Sequence, residues 1–216
     1  AKEKGIKKEI FEKYLIWAIA SIVVGARLFE VLFYNPAYYF TNPLKIFFIW
    51  EGGLASHGAI IGLILVTFIF AKKYKLHFYD LADIIVIPCG LAAAFVRLGN
   101  FFNGELVGNI TSSKIGMKFN NYEGLRHPVQ LYQSFTNFIV FGIMYFYRNL
   151  KRGIPFWGFL AIYSVGRFIT EFFKDIDKYA GLSLAQWISL GIVLIASYFL
   201  VKLTTFKGQH RHKVYK

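Results

Sequence analysis

The stretch Gly52–Ala71 reads GGLASHGAIIGLILVTFIFA, which is 20 residues without a single Asp, Glu, Lys or Arg. A helix needs about 20 mostly apolar residues to cross the hydrocarbon core of a bilayer. Two more uncharged blocks of this kind are Pro128–Tyr147 and Tyr179–Val201. Three further apolar blocks each carry two or three charged residues: Tyr14–Tyr34, Tyr79–Gly99 and Gly153–Phe173. The blocks lack the alternation of barrel strands, so we predict an all-α, polytopic membrane protein with about six transmembrane helices.

The composition agrees with a membrane protein. Hydrophobic residues make up 56% of the 216 residues and charged residues 17%, against about 25% charged in soluble domains. The mean hydropathy of +0.46 excludes a disordered chain. It also argues against a soluble nucleic-acid-binding protein despite the net charge of +13, and we expect no nucleic-acid partner. The single cysteine, Cys89, excludes a disulfide framework and a cysteine-based zinc site; we expect no metal and no cofactor.

Basic residues divide unevenly between the two sets of connecting segments. Sixteen of the 25 Lys and Arg residues fall on one set and six on the other. The basic set consists of residues 1–13, 72–77, 148–152 and 202–216, and the other of residues 35–45, 100–127 and 174–178. The positive-inside rule then predicts cytoplasmic termini. We expect one transmembrane domain over residues 1–216, a loop region at 100–127 on the outer side, and contact of the tail Lys207–Lys216 with anionic lipid head groups.

Three arginines lie inside predicted spans, where an ionisable group is costly and usually functional. Arg27 has Glu30 three residues later and Arg167 has Glu171 four residues later, so each pair shares a helix face. We expect Arg27 and Glu30 to form an internal ion pair that orients the bundle. For Arg97 and Arg167 we favour binding of an anionic head group, because a guanidinium contacts phosphate through two parallel hydrogen bonds.

Other polar residues extend this candidate site. Gly58 and Gly62 form a GxxxG pattern, which is typical of close helix packing. His57 either hydrogen-bonds across helices or serves as an acid–base group, and the residues alone leave both open. The segment RLGNFFNGE at 97–105 supplies donors and a carboxylate on an irregular backbone, which membrane depth tolerates only at a wet or protein-walled cavity. His127 precedes Pro128 at a predicted helix start and is either a cap or a substrate contact.

Six segments in this order resemble the prolipoprotein diacylglyceryl transferases of bacterial inner membranes. They cover most of the chain, from about Gly25 to Ser189. The segments are GARLFEVLFYN at 25–35, WEGGLASHGAIIG at 50–62, RLGNFFNGE at 97–105, RHPVQLY at 126–132, GRFITEFFK at 166–174 and GLSLAQ at 181–186. The resemblance implies a helical membrane body with periplasmic loops.

The resemblance also implies the reaction. Members of the family transfer the diacylglyceryl group of phosphatidylglycerol to the lipobox cysteine in the signal peptide of a preprolipoprotein, which gives a thioether and glycerol phosphate. The positions essential in the family match His57, Arg97, Asn100, Glu105, Tyr163, Arg167 and Glu171.

The roles that follow are expectations. We expect Arg97 and Arg167 to stabilise the leaving phosphate, Glu105 and Glu171 to orient these arginines, and His57 to act as the base. Contacts to phosphatidylglycerol are expected from Arg97, Asn100, Asn103, His127, Tyr163 and Arg167. The alternative is an ion-coupled membrane transporter that uses the intramembrane Arg/Glu pairs.

The chain departs from the family pattern at three positions. Ala59 stands in place of a second glycine after His57, Gln133 in place of a glutamate, and Lys174 in place of an arginine. Lysine keeps the charge but loses the planar guanidinium fork. The family also has one more N-terminal span with a functional tyrosine, which nothing here matches, so we expect the sequence to be short of that helix.

Overall fold

The computed structural model describes residues 4–205, apart from the side chain of Ser56. The helices are α1 (Lys8–Phe29, continued by a π-helical turn Glu30–Tyr34), α2 (Pro36–Thr41), α3 (Ser56–Lys73), α4 (Phe78–Phe102), α5 (Val129–Phe146), α6 (Ile154–Glu171) and α7 (Leu184–Thr205). Two 3₁₀ turns, Pro43–Phe47 and Ile49–Glu51, and two short strands, β1 (Met117–Lys118) and β2 (Leu125–Arg126), complete the elements. The predicted tail contact at Lys207–Lys216 lies outside the described residues.

The all-α membrane class is confirmed, and each predicted span coincides with a long helix. Within residues 4–205, three helical segments are both long and apolar enough to cross a membrane: Lys8–Tyr34, Phe78–Phe102 and Leu184–Thr205. The other three, α3, α5 and α6, have 18 residues each, which is near the lower limit of about 17 for a span. The count of six transmembrane helices therefore stays a prediction.

The chain divides into two compact units, residues 1–82 and 83–216, which are described separately. In the first unit, α1 packs on α3. The Tyr14 hydroxyl lies 2.8 Å from Thr67 Oγ1, and both side chains are buried. A Cβ on Gly58 would collide with the carbonyl oxygen of Gly25 and with Phe29. This close crossing confirms the packing role predicted for the GxxxG pattern.

In the second unit, α6 packs against α5 and α7. The core at one end consists of Val86, Val140, Met144 and Phe159. Near that core, the buried carboxylate of Asp83 accepts hydrogen bonds from the N–H groups of Gly153 and Phe156, at 2.9 and 3.0 Å. Gly153 precedes α6 and Phe156 lies in its first turn, where backbone N–H groups have no intrahelical partners. Asp83 thus fixes the start of the helix that carries Tyr163 and Arg167.

At the other end of this unit, the loop region between α4 and α5 is tied to the end of α6. Asn109 N–H donates to the carbonyl of Phe173 at 2.8 Å, and His127 N–H donates to Asn109 at 3.0 Å. Gln130, the second residue of α5, donates from Nε2 to the carbonyl of Glu105 at 2.6 Å. These bonds hold the loop over the ends of three helices, where the polar residues of the candidate site lie.

Candidate active site

A chain of hydrogen bonds closes the end of α4. Arg97 donates from Nη1 to Asn100 Oδ1 at 3.1 Å, and Asn100 donates from Nδ2 to Glu105 Oε1 at 2.9 Å. Asn103 donates to the same carboxylate oxygen at 3.2 Å. Gly104, with φ at +66°, provides the left-handed turn that folds the chain back. Glu105 therefore acts on Arg97 through Asn100 and not by direct contact.

The two asparagine amides that donate to Glu105 lower the pKa of this exposed carboxyl group, because they stabilise its ionised form. A carboxyl group whose pKa is lowered by folding stabilises the folded chain above its ordinary pKa. That contribution is lost as the pH falls through the lowered value.

We expect Glu105→Gln to melt at a lower temperature than the wild type near neutral pH. The gap should close as the pH falls well below 4.5, the ordinary pKa of this group, because both side chains are then neutral. Melting of the detergent-solubilised proteins between pH 7 and pH 3 measures this. A gap that is constant over the whole range would show that the charge of Glu105 contributes nothing.

Arg97 and Arg167 line one polar pocket in the second unit. Its other lining residues are Gln133, Thr136, Asn137, Tyr163 and Thr170. The empty space amounts to about 240 Å3, which includes an open side. In the described part of the chain, Arg167 makes no side-chain hydrogen bond or ion pair, and Arg97 makes only the bond to Asn100. A guanidinium has five N–H donors, so most of the donors of this pair are unmet.

Glu171 ends α6 and has Lys174 as its direct ionic partner, with 3.1 Å between Oε2 and Nζ. The expectation that Glu171 orients an arginine is thus not matched by an ion pair to Arg167 among the described contacts. Burial lowers the pKa of Lys174, Glu171 raises it, and the charges of Arg97 and Arg167 lower it further. Glu171 therefore lies among three cations, Lys174, Arg97 and Arg167.

His127 lies between the loop and the helix ends. Its Nδ1 is 3.0 Å from the Tyr132 hydroxyl, and its ring centroid is 5.1 Å from that of Phe173. The backbone carbonyl of His127 accepts the N–H of Gly108 at 2.9 Å. These contacts fit the interface alternative, and the role of His127 in binding substrate stays a prediction.

His57 belongs to the first unit and lies in the first turn of α3. Its side chain is exposed, and Nδ1 is 3.0 Å from the Tyr34 hydroxyl. The Phe29 ring lies 5.9 Å from the imidazole, between centroids. In the described residues the other ring nitrogen, Nε2, makes no hydrogen bond, so it is available to a proton or a ligand.

Arg27 also lies in the first unit, and its surroundings differ from those of Arg97 and Arg167. All five N–H donors of its guanidinium point at backbone carbonyl oxygens, here called the carbonyl cage. The cage consists of the carbonyls of Lys45, Ile46, Phe48, Gly52 and Gly53. The Tyr39 ring covers one face, with its centroid 4.8 Å from Cζ. With every donor used, Arg27 has none left for a phosphate group.

The expected ion pair between Arg27 and Glu30 is absent from the described contacts. Glu30 instead accepts a hydrogen bond from Asn35 Nδ2 at 2.7 Å. The prediction was wrong because it considered neighbours on the same helix, whereas the cage comes from residues 18 to 26 positions further along the chain.

The sequence model of one family, described as prolipoprotein diacylglyceryl transferase, matches residues 1–202. The chain belongs to the prolipoprotein diacylglyceryl transferase family. The resemblance found in the six segments is therefore confirmed.

Three relatives named phosphatidylglycerol–prolipoprotein diacylglyceryl transferase illustrate the similarity. The protein from Rickettsia bellii (strain OSU 85-389) is 40% identical over 211 residues, covering 91% of this chain and 80% of the relative. That from Bordetella parapertussis is 43% identical over 195 residues, covering 85% and 74%. That from Tolumonas auensis is 40% identical over 203 residues, covering 89% and 79%. These relatives lend no support to the transporter alternative.

Membership of the transferase family leaves the individual site roles as predictions, and the structure adds residues to them. Asn137, Thr136 and Thr170 line the arginine pocket but were not among the expected site residues. A signal was present in the sequence: the polar residues Gln130, Gln133, Ser134 and Asn137 recur three or four positions apart within an otherwise apolar block. That spacing places them on one face of a helix.

Proposed function

We propose that this membrane transferase moves the diacylglyceryl group of phosphatidylglycerol onto the cysteine thiol of a prolipoprotein, at the lipobox of its signal peptide. The substrates follow from the names of its relatives. The observation that supports the chemistry is the pocket in which two guanidiniums have most of their donors unmet. A lipid phosphate is an anion that such a pair binds well.

The reaction is an alkyl transfer. The thiol sulfur attacks the glycerol carbon that bears the phosphate ester, the C–S bond forms, and the C–O bond to phosphate breaks. The electron pair of that bond leaves with the oxygen as glycerol phosphate, which gains one negative charge, and the thiol proton passes to a base. Arg97 and Arg167 would stabilise the charge that develops on the leaving phosphate, with Asn100 and Glu105 holding Arg97 in place.

His57 is the candidate base. When Nδ1 carries the ring proton and donates it to the Tyr34 hydroxyl at 3.0 Å, Nε2 presents its lone pair to a thiol. Histidine is the side chain that most often takes up a proton in general acid–base catalysis.

We expect His57→Gln to lower the transfer rate by about 100-fold, the lower end of what a general base contributes. Gln keeps a polar side chain but has no titratable nitrogen. The measurement is the rate of transfer between pH 6 and pH 8, with His77→Gln, a change at a histidine that precedes α4, as the matched control. Full activity of His57→Gln across this range would remove His57 as the base and leave it a packing role.

The activity itself is tested with purified protein, phosphatidylglycerol vesicles and a peptide that contains a lipobox. We expect the peptide to gain the mass of one diacylglyceryl group. A peptide with serine in place of the cysteine, and vesicles of phosphatidylcholine, should give no product. The proposed function would be contradicted if the cysteine peptide stayed unmodified after long incubation with folded protein.

We further propose that the protein is a single transmembrane domain of a bacterial inner membrane, with the active site towards the periplasmic side. The excess of Lys and Arg on one set of connecting segments supports cytoplasmic termini. Cysteines introduced at Ser112 in the loop region and at Lys151 between α5 and α6 test the orientation. A membrane-impermeant thiol reagent added to intact cells should label only the first.

A further inference from the structure

Two neutral amides face the arginine pocket from α5. Gln133 and Asn137 are four residues apart, so they share one face of the helix, and they are only 7% and 6% exposed. Both line the pocket together with Arg97 and Arg167. Because both amides line the pocket, the group that occupies the pocket can supply the hydrogen bonds that the chain does not.

The chain itself supplies few of the hydrogen bonds that these two amides can make. Within residues 4–205, the Asn137 amide makes no hydrogen bond, and Gln133 makes only a long one, 3.4 Å from Nε2 to Thr170 Oγ1. An amide has an oxygen that accepts hydrogen bonds as well as an NH2 group that donates them. An oxyanion that only accepts would satisfy the guanidiniums and leave the amide oxygens unmet. The pocket therefore fits a ligand that offers both an anion and an O–H or N–H donor.

The size and charge of the pocket restrict which donor group the ligand can carry. The enclosed part of the pocket has room for about one water-sized group, which suits a single hydroxyl. An ammonium group is of similar size, but the positive charges of Arg97 and Arg167 would repel it. A hydroxyl on a phosphate-bearing head group meets every requirement, and the glycerol head group of phosphatidylglycerol carries two.

We propose that Asn137, assisted by Gln133, binds a hydroxyl of the phosphatidylglycerol head group and thereby selects this lipid. The hydroxyl donates to Asn137 Oδ1 and accepts from Nδ2, while Arg97 and Arg167 hold the phosphate. This inference rests on the proposed function, because it assumes that the same pocket receives the phosphate. A site built to bond a substrate hydroxyl rejects an analogue without it, because the buried polar groups are then left unpaired.

The test compares two lipids that differ only beyond the phosphate. Phosphatidylpropanol has the same reacting carbon and phosphate ester as phosphatidylglycerol but no head-group hydroxyl. We expect wild-type kcat/KM to be about tenfold or more higher for phosphatidylglycerol, as a hydrogen bond of roughly 1.4 kcal/mol would give. Asn137→Leu should lower the value for phosphatidylglycerol about tenfold and change that for phosphatidylpropanol by less than about twofold.

Gln186→Met provides the matched control, since Gln186 is also a buried amide but has structural partners. It accepts the Ser183 N–H at 2.9 Å and donates to the Phe168 carbonyl at 3.2 Å. We expect this change to lower the melting temperature and leave the ratio between the two lipids unchanged. Asn137→Leu should leave the melting temperature equal or raised, because an unpartnered amide is replaced by an apolar side chain of similar shape.

The outcomes separate cleanly. Equal use of the two lipids by the wild type, or an equal loss on both lipids in Asn137→Leu, overturns the proposal. If Asn137→Leu does not fold, Gln133→Met tests the same contact, and a loss confined to phosphatidylglycerol supports it whereas an equal loss overturns it. Absence of wild-type transfer from either lipid would contradict the proposed function itself, and phosphatidylglycerol binding measured with the same variants would then decide the role of Asn137.

Discussion

Arg167→Lys is expected to lose about 99% of diacylglyceryl transfer although the charge at this position is kept. Arg167 lines the pocket with Arg97 and Tyr163, and its donors have no partner in the described residues. A guanidinium can give a phosphate two parallel hydrogen bonds, whereas an ammonium acts as a point charge on a shorter reach. Loss of one charge-assisted bond of roughly 1.5–3 kcal/mol corresponds to about 13- to 160-fold in rate, and a loss of about 99% lies within this range.

The measurement is the mass gain of a lipobox peptide per unit time in phosphatidylglycerol vesicles. Arg148→Lys makes the same chemical change between α5 and α6, at the end of these helices opposite to the pocket, where Arg148 donates to the Tyr145 carbonyl at 2.8 Å. This control should keep most of the activity. Turnover by Arg167→Lys close to that of the wild type would show that the fork of Arg167 has no part in the reaction.

The helical architecture followed from the sequence because a bilayer imposes a simple length rule on apolar runs. Where helix bounds differ, local backbone conformation is the reason. The uncharged block that begins at Gly52 gives a helix only from Ser56, since Gly52 and Gly53 adopt φ of +90° and +72°. The 3₁₀ turns before α3 place these glycines at the carbonyl cage, and a Cβ at Gly53 would lie 2.8 Å from Arg27 Nη1.

The candidate site was predictable only in part, because many of its residues lie far apart in the sequence. The bonds that join Arg97, Asn100 and Glu105 connect residues three to five positions apart, so the segment 97–105 revealed them as a group. The pocket joins α4, α5 and α6. Two of its neutral residues, Thr136 and Asn137, lie in the part of Pro128–Tyr147 that was interpreted only as a span. An arginine within a predicted span is recognised from the sequence by its charge. Asn137 is recognised as a site residue only from the structure, which shows that its amide has no hydrogen-bond partner among the described residues.

Arg27 carries the second large effect, and it concerns stability instead of catalysis. Its guanidinium holds the five carbonyls of the cage, and its side chain is only 5% exposed. Lysine has three donors in place of five, so Arg27→Lys leaves at least two of these carbonyls without their donor. The carbonyls of Lys45 and Phe48 also accept a backbone N–H, so the cost is that of the lost hydrogen bonds and not of unpaired buried groups. At roughly 1–1.5 kcal/mol for each lost bond, we expect a loss of about 2–3 kcal/mol in the free energy of unfolding.

Limited proteolysis near the cage distinguishes local release of this segment from general destabilisation of the protein. Lys45 lies within the first 3₁₀ turn, contributes a carbonyl to the cage and pairs with Glu51 at 2.7 Å. Trypsin cleavage after Lys45 therefore reports release of the segment. Arg27→Lys should be cut there faster than the wild type before global melting begins. Tyr39→Phe, which keeps the ring over the guanidinium, should be cut at the wild-type rate. Unchanged cleavage and melting in Arg27→Lys would mean that the cage keeps its conformation without Arg27. The hydrogen bonds of this buried guanidinium would then contribute nothing to stability.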